Sequence, residues 1–284
     1  MMKISTYSSL AILFLAGCQT ESPTPKTDYG DWAYESTVVK TVDSHEFTFP
    51  TEGYAFEHRD EYVQECVDAI AYNCKLLAIT EFTVPIKYRF VTSREEMARF
   101  TGIAASGTTN SWTRTIHMAV FDSTETTTDE VLTDPPIVHE TMHMISQVAW
   151  GHPGQKGNWI NEGLATYAAG TCSGWTPREM YRFFMENEML ASVDSMITDF
   201  YHVGEMVGYH QAAVWVEHMI SRYGLETFQQ YWNPQNTMSF DEIFGVSIAE
   251  METRINEDIL KEIPEVPAID WEVLQEGCYT RLNS

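Results

Sequence analysis

Apolar side chains along residues 137–148 fall at Ile137, Val138, Met142, Ile145 and Val148, close to the 3.6-residue period of a helix. Asp134, Pro135 and Pro136 stand where such a helix would start. A second helical stretch covers residues 159–169, entered from a loop over residues 151–158 that carries Gly151, Pro153, Gly154 and Gly157. Ahead of this pair the pattern is mixed. Phe47, Thr48 and Phe49 read as a strand, residues 54–77 as one long helix, and residues 83–91 and 111–121 as strands rich in β-formers. The strand at 111–121 is expected to be an edge, along which an extended peptide is held by main-chain hydrogen bonds.

Behind the pair the chain turns helical. Thr176 with Glu179 and Ser247 with Glu250 have the spacing of capping boxes, and Gly224 closes the periodic run that ends at Tyr223. Aromatic and methionine side chains over residues 181–196 recur at helical spacing and read as core. Strands first and helices afterwards give an α+β class, with a small mixed sheet N-terminal to the helix at 137 and a mainly helical C-terminal part. Neither an internal repeat, nor a glycine-rich phosphate loop, nor a serine nucleophile elbow is present in the sequence.

The N-terminus bears on location. Lys3 is the only charge in residues 1–9, residues 10–16 are apolar, and Leu15-Ala16-Gly17-Cys18 fits the lipobox of bacterial lipoproteins. Residues 1–17 then read as a signal that is removed, because the apolar run is far shorter than the ~20 residues needed to span a bilayer. Cys18 becomes the acylated first residue, and two or three acyl chains hold a protein stably at a membrane. Gln19 in place of aspartate resembles the sorting context for the outer membrane. Residues 18–35, rich in Thr, Ser, Pro and acidic side chains, read as a flexible tether, and residues 36–284 as the folded domain.

Charge and cysteines narrow the partners. Forty-one acidic against 17 basic residues give a net charge of −24, which speaks against nucleic acid as a partner. Besides Cys18 the chain holds Cys66, Cys74, Cys172 and Cys278, an even number suited to an oxidising compartment. Four cysteines allow three pairings, and sequence alone does not select one. The expected pairing is Cys66 with Cys74, if Asn73 ends the helix between them, and Cys172 with Cys278, clipping the C-terminal tail near the helix at 137.

The chemistry concentrates in His139-Glu140-Thr141-Met142-His143 and in Glu162, with eighteen residues between His143 and Glu162. Positions four apart on a helix project from one face, so the two imidazoles can share one cation. Zinc takes imidazole nitrogen and carboxylate oxygen, and a catalytic site supplies three protein ligands and leaves a position open. Glu162 is the expected third ligand, with one Zn²⁺ per chain. Glu140 leans off the ligand axis and is the expected general base for a water molecule. A three-histidine site would need glycine at position 146 and histidine at position 149, where the chain has Ser146 and Ala149. His117, on the expected strand, reads as a half-buried sheet residue.

This motif and spacing resemble the gluzincin metallopeptidases, and Asn161-Glu162-Gly163-Leu164-Ala165 resembles a segment of their aminopeptidase-like members. Residues 209–224 resemble the small bacterial peptidase-MA-like domains, and the likeness runs over about residues 80–250. It implies a zincin-like fold, zinc on His139, His143 and Glu162, Glu140 as base, and hydrolysis of peptide bonds in proteins or peptides outside the cytoplasm. In related folds a tyrosine or histidine from a later helix faces the zinc, which makes Tyr209, and after it His210, the candidate for stabilising the oxyanion. Two features depart from the pattern. Thr166 stands where some gluzincins carry an aspartate that holds a histidine, and Ser106-Gly107-Thr108-Thr109-Asn110-Ser111 lacks the Gly-x-Met-x-Asn signature of exopeptidases. Two alternatives stand beside the peptidase: a zinc amidase acting on cell-wall peptide, and a surface binding module that keeps the fold without turnover.

Overall fold

The computed structural model describes residues 37–122, 131–154, 157–275 and 277–278. The expected signal at 1–17, the acylation site Cys18 and the tether at 18–35 lie outside the described residues. Among the described residues no helix is long and apolar enough to cross a membrane.

Five strands form one mixed sheet in the order β1-β2-β3-β5-β4. Strands β1 (Thr37–Val42) and β2 (His45–Pro50) are an antiparallel hairpin. Its two-residue turn, Asp43 and Ser44, has positive φ at both positions (47° and 70°), the backbone twist that matches paired strands. Helices α1 (Tyr54–Glu57) and α2 (Arg59–Leu76) lead to β3 (Lys87–Val91), which runs parallel to β2. Helix α3 (Arg94–Thr101) precedes β4 (Gly107–Asn110) and β5 (Thr115–Ala119); β5 pairs parallel with β3 and antiparallel with β4.

The remainder is helical: α4 (Ile137–Trp150), α5 (Asn158–Ala169), α6 (Pro177–Glu186), α7 (Val193–Asp199), α8 (Glu205–Tyr223), α9 (Leu225–Trp232), α10 (Phe240–Phe244), α11 (Ile248–Glu262) and α12 (Trp271–Leu274). The α+β class holds, with the small mixed sheet N-terminal to α4. Thr176 and Glu179 close both limbs of a capping box at α6. Ser247 caps α11 by accepting from the Glu250 N–H, while the Glu250 carboxylate takes a hydrogen bond from Arg254 one turn on. Gly224 ends α8 at φ 89°.

Several local expectations change. The helix expected at 54–77 is broken at His58 (φ −97°, ψ 13°) into α1 and α2. The strand expected at 83–91 is ordered only over Lys87–Val91, because Pro85 lacks the N–H a ladder needs. The strand expected at 111–121 is the second arm of a hairpin. Asn110 Oδ1 accepts from the N–H groups of Trp112 and Thr113, both at 3.1 Å, an Asx turn that reverses the chain. On this side the edge of the sheet is therefore β4, opposite β1, and β5 with His117 is interior. Burial and the neighbouring Arg89 push His117 down to about 4, as for a neutral sheet residue.

Cys66 and Cys74 are not joined; both are free thiols. Helix α2 runs unbroken through both, and eight helical residues separate the positions by about 12 Å, beyond disulfide reach. Asn73 does not stop the helix, since its buried side chain donates from Nδ2 to the Val138 carbonyl at 3.0 Å and ties α2 to α4. Cys172 and Cys278 are joined.

Helix α4 is the wall shared by two cores. Ile137 and Met144 pack with Phe47, Phe49, Tyr88 and Phe90 of the sheet; Met142 and Ile145 pack with Trp159, Leu164 and Trp215 of the helical part. Helix α5 is buried along nearly its whole length, its apolar residues Trp159, Ile160, Leu164 and Ala165 lying in the core and its buried Asn161 and Glu162 hydrogen-bonded toward α4. Its approach to α8 is backbone-close at Gly163, where a Cβ would fall 2.7 Å from the Ala212 carbonyl oxygen. Gly163→Ala is expected to force the helices apart and lower unfolding stability by about 1–3 kcal/mol, as overpacking does. Urea unfolding measures it; unchanged stability would show that the crossing has slack.

Candidate metal centre

The sequence delivers the site on two consecutive helices. Helix α4 carries His139, Glu140 and His143 and ends at Gly151, whose φ is 83°. The Gly151 carbonyl is held by Trp232 Nε1 at 2.8 Å, fixing the start of the loop. Helix α5 then brings Asn161 and Glu162 back toward the histidines.

Three donor atoms converge. His143 Nε2 lies 3.1 Å from His139 Nε2 and 3.1 Å from Glu162 Oε2, and His139 Nε2 lies 3.3 Å from the same oxygen. Donors about 2.0–2.2 Å from one tetrahedral ion stand roughly 3.3–3.6 Å from each other, so the set fits a single cation after a small outward shift. The hydrogen-bond pattern agrees. His143 Nδ1–H donates to Asn161 Oδ1 at 3.2 Å, which leaves the Nε2 lone pair as the free function. That nitrogen faces a carboxylate oxygen, a contact satisfied either by a proton on Nε2 or by a cation between the two.

Titration follows the same field. Burial pushes His143 down, but the Glu162 carboxylate and its hydrogen bond, with Glu140 and Asn161, outweigh it and push the imidazole up to about 9. Burial pushes Glu162 up, and the two histidines more than offset this and hold it well below the usual carboxylate range. The same field would favour a divalent ion in place of that proton.

The support around these groups is specific. Asn161 Oδ1 also accepts from Gln147 Nε2 at 3.1 Å, and Gln147 Oε1 accepts from Ser111 Oγ at 2.8 Å. A chain of hydrogen bonds thus runs from the β4–β5 turn to the His143 ring. Thr166, at the position where an aspartate was absent from the sequence, is buried with Oγ1 unpartnered among the described residues, and Asn161 orients the histidine instead. Glu140 is clamped by β4: Thr109 Oγ1 lies 2.7 Å from Glu140 Oε2 and 2.9 Å from its carbonyl oxygen. At Gly107 a Cβ would stand 2.7 Å from Glu140 Cγ, so the edge strand and the carboxylate pack without room for a side chain.

Tyr209 is in the second turn of α8, with its ring stacked on His139 (centroids 6.1 Å apart) and on Phe200 (5.5 Å). His210 turns elsewhere. Its Nδ1–H donates to the Met206 carbonyl at 2.7 Å, and burial pushes it down to about 4. A ring nitrogen of His210 lies within 4.8 Å of the sulfurs of Cys172 and Cys278, which are joined to each other at 2.02 Å. The residue that sequence reasoning missed is Tyr201, whose hydroxyl donates to Glu162 Oε1 at 3.3 Å. It sits in the 3₁₀ turn Phe200–His202, too short to leave a periodic signal. Burial, then the Glu162 charge, raises the Tyr209 phenol well above its ordinary value. Tyr201 is 62 % exposed as a residue, and desolvation at its hydroxyl with the Glu162 charge raises its phenol in the same direction, so both stay protonated donors.

His139, Glu140, His143, Asn161 and Glu162 line one cleft of about 1380 Å³, bounded by β4 and α2 at one side and by Tyr201, Tyr209 and the Cys172–Cys278 bridge at the other. Compared with known proteins, the chain matches no family model, no curated protein and no solved structure.

Loss of the Asn161 amide leaves His143 Nδ1 without its acceptor. Asn161→Ala should weaken binding of added Zn²⁺ by about 10- to 100-fold, the usual effect of removing such a partner. Competition against a chelator of known affinity reads it, and undiminished affinity would contradict the orienting role of Asn161.

Proposed function

We propose that the chain is a zinc metallopeptidase of gluzincin type on a zincin-like fold, hydrolysing peptide bonds in the cell envelope or outside the cell. One observation carries the reading: two imidazoles from one turn of α4 and a carboxylate from α5 converge beside a second, separately held carboxylate in an open cleft. His139, His143 and Glu162 would hold the ion. When bound, zinc supplies Lewis acidity, which lowers the pKa of a water from about 15.7 toward ~7 and polarises a carbonyl oxygen.

Glu140 is the proton carrier. It takes the proton of the attacking water on a carboxylate oxygen as the C–O bond forms and the carbonyl oxygen gains negative charge, then passes that proton to the amine nitrogen, so that the C–N bond breaks and the amine departs. The Thr109 hydroxyl orients Glu140 for this task. The free edge of β4 offers main-chain donors and acceptors to an extended peptide, and Thr109 places that edge against Glu140. A phenol donates to the carbonyl oxygen as it gains negative charge. Tyr209 is the residue expected for this role, and Tyr201 could take part only by turning its hydroxyl from Glu162, to which it donates. Acylation at Cys18 would tether the enzyme to the membrane, most simply the outer membrane, with residues 18–35 as leash.

Glu140→Gln keeps the shape of the side chain and removes its basicity. Zinc content should stay at one per chain, and peptide cleavage should fall at least about 100-fold, read by metal analysis beside a peptide-library digest. Full cleavage by the variant would sink the mechanism, and cleavage of purified sacculi without cleavage of peptides would transfer the site to the amidase reading.

A further inference from the structure

We infer that Trp112 is a specificity-determining residue, gripping a large apolar side chain of the substrate two or three residues from the cleaved bond. The inference rests on reading the site as a peptidase. Trp112 is 88 % exposed, the most exposed large hydrophobic side chain among the described residues, and it lines the cleft that holds His139, Glu140 and Glu162. Ile103, 59 % exposed, lines the same cleft. Leaving an indole in water forgoes the stabilisation of burying it, and exposed apolar groups gathered at a cleft mark a place where a ligand covers them.

The turn that carries the indole is built to hold it. Asn110 Oδ1 bonds the Trp112 and Thr113 N–H groups, and Ser111, next in the chain, is anchored on Gln147 of α4. The backbone of Trp112 is thus tied to the same frame as the candidate metal ligands, since Gln147 also bonds Asn161, which bonds His143. Its distance along the substrate is bounded by the short link of chain to Thr109. Thr109 touches Glu140, and Trp112 is three residues further on, past the turn at Asn110. Even three fully extended residues would span only ~10 Å, and the turn shortens this, so the indole is within the reach of two or three residues of an extended peptide.

A bilayer is the other surface that takes up an exposed tryptophan. In this protein the indole shares its cleft with Glu65, Asp68 and Asp134 on a chain of net charge −24, and an anionic membrane surface repels such a face. A peptide side chain meets no such barrier.

The test is the cleavage profile of the full zinc-loaded chain on a peptide library, for wild type, Trp112→Ala and Trp112→Phe, with zinc content measured on each. Wild type should favour Phe, Trp, Leu or Met over Ser and Gly by about tenfold at one position two or three residues from the cut. In Trp112→Ala this ratio should fall to within about twofold with zinc retained, and Trp112→Phe should keep most of it. An unchanged profile in Trp112→Ala overturns the inference while leaving the peptidase reading intact. So does an unchanged profile accompanied by lost binding to phosphatidylglycerol–phosphatidylethanolamine vesicles, which would assign the indole to the bilayer. Absence of cleavage by wild type overturns both.

Discussion

The contact between the backbones of α5 and α8 decides where the third donor arrives. Gly163 has no side chain, so α5 lies against the Ala212 carbonyl, and Glu162, one residue earlier, is carried toward α4 rather than into the helical core. From there its Oε2 meets both imidazoles within 3.3 Å. A helix held further out would deliver the same carboxylate short of the histidines. The mixed sheet contributes from the other side, by packing α4 on its inner face and by pressing β4 against Glu140.

Two buried carboxylates share this cleft under different conditions. Glu162 is surrounded by His139, His143 and the Tyr201 hydroxyl, groups that favour its charged form and occupy its oxygens. Glu140 faces the Thr109 hydroxyl and the gap left by Gly107. Burying a charge is costly unless it is paired and hydrogen-bonded. The cluster meets that demand for Glu162 through the histidines and, in the proposed zinc-bound state, through the ion they would share. The Ser111–Gln147–Asn161 chain extends the same order outward, so that the turn presenting Trp112 and the ring of His143 are parts of one hydrogen-bonded frame.

Much of this was legible in the sequence where a local pattern and a tertiary demand agree. The apolar period over 137–148 gave α4 to within two residues at its C-terminal end, and the spacing of His139, His143 and Glu162 already implied convergence. Thr176 with Glu179 marked a helix start because both limbs of that cap are local. The failures share a cause: each depends on a partner distant in sequence or on a very short element. Asn73 reads as a helix stop, yet its amide is engaged by Val138 sixty-five residues away, so α2 continues and Cys66 and Cys74 stay apart. Residues 111–121 read as one strand because the β-formers are continuous in composition, whereas the Asn110 side chain divides them into turn and strand. Tyr201 reaches Glu162 from a three-residue 3₁₀ turn that no periodicity announces.

The central claim is that one divalent ion is held between α4 and α5 by two imidazole nitrogens and one carboxylate oxygen. Anomalous diffraction at the zinc edge from crystals of the purified chain tests it directly. A single peak within about 2.0–2.2 Å of His139 Nε2, His143 Nε2 and a Glu162 oxygen is the predicted result. A crystal grown with zinc that shows no peak there, or Glu162 turned away with no other protein group completing the set, would contradict the account.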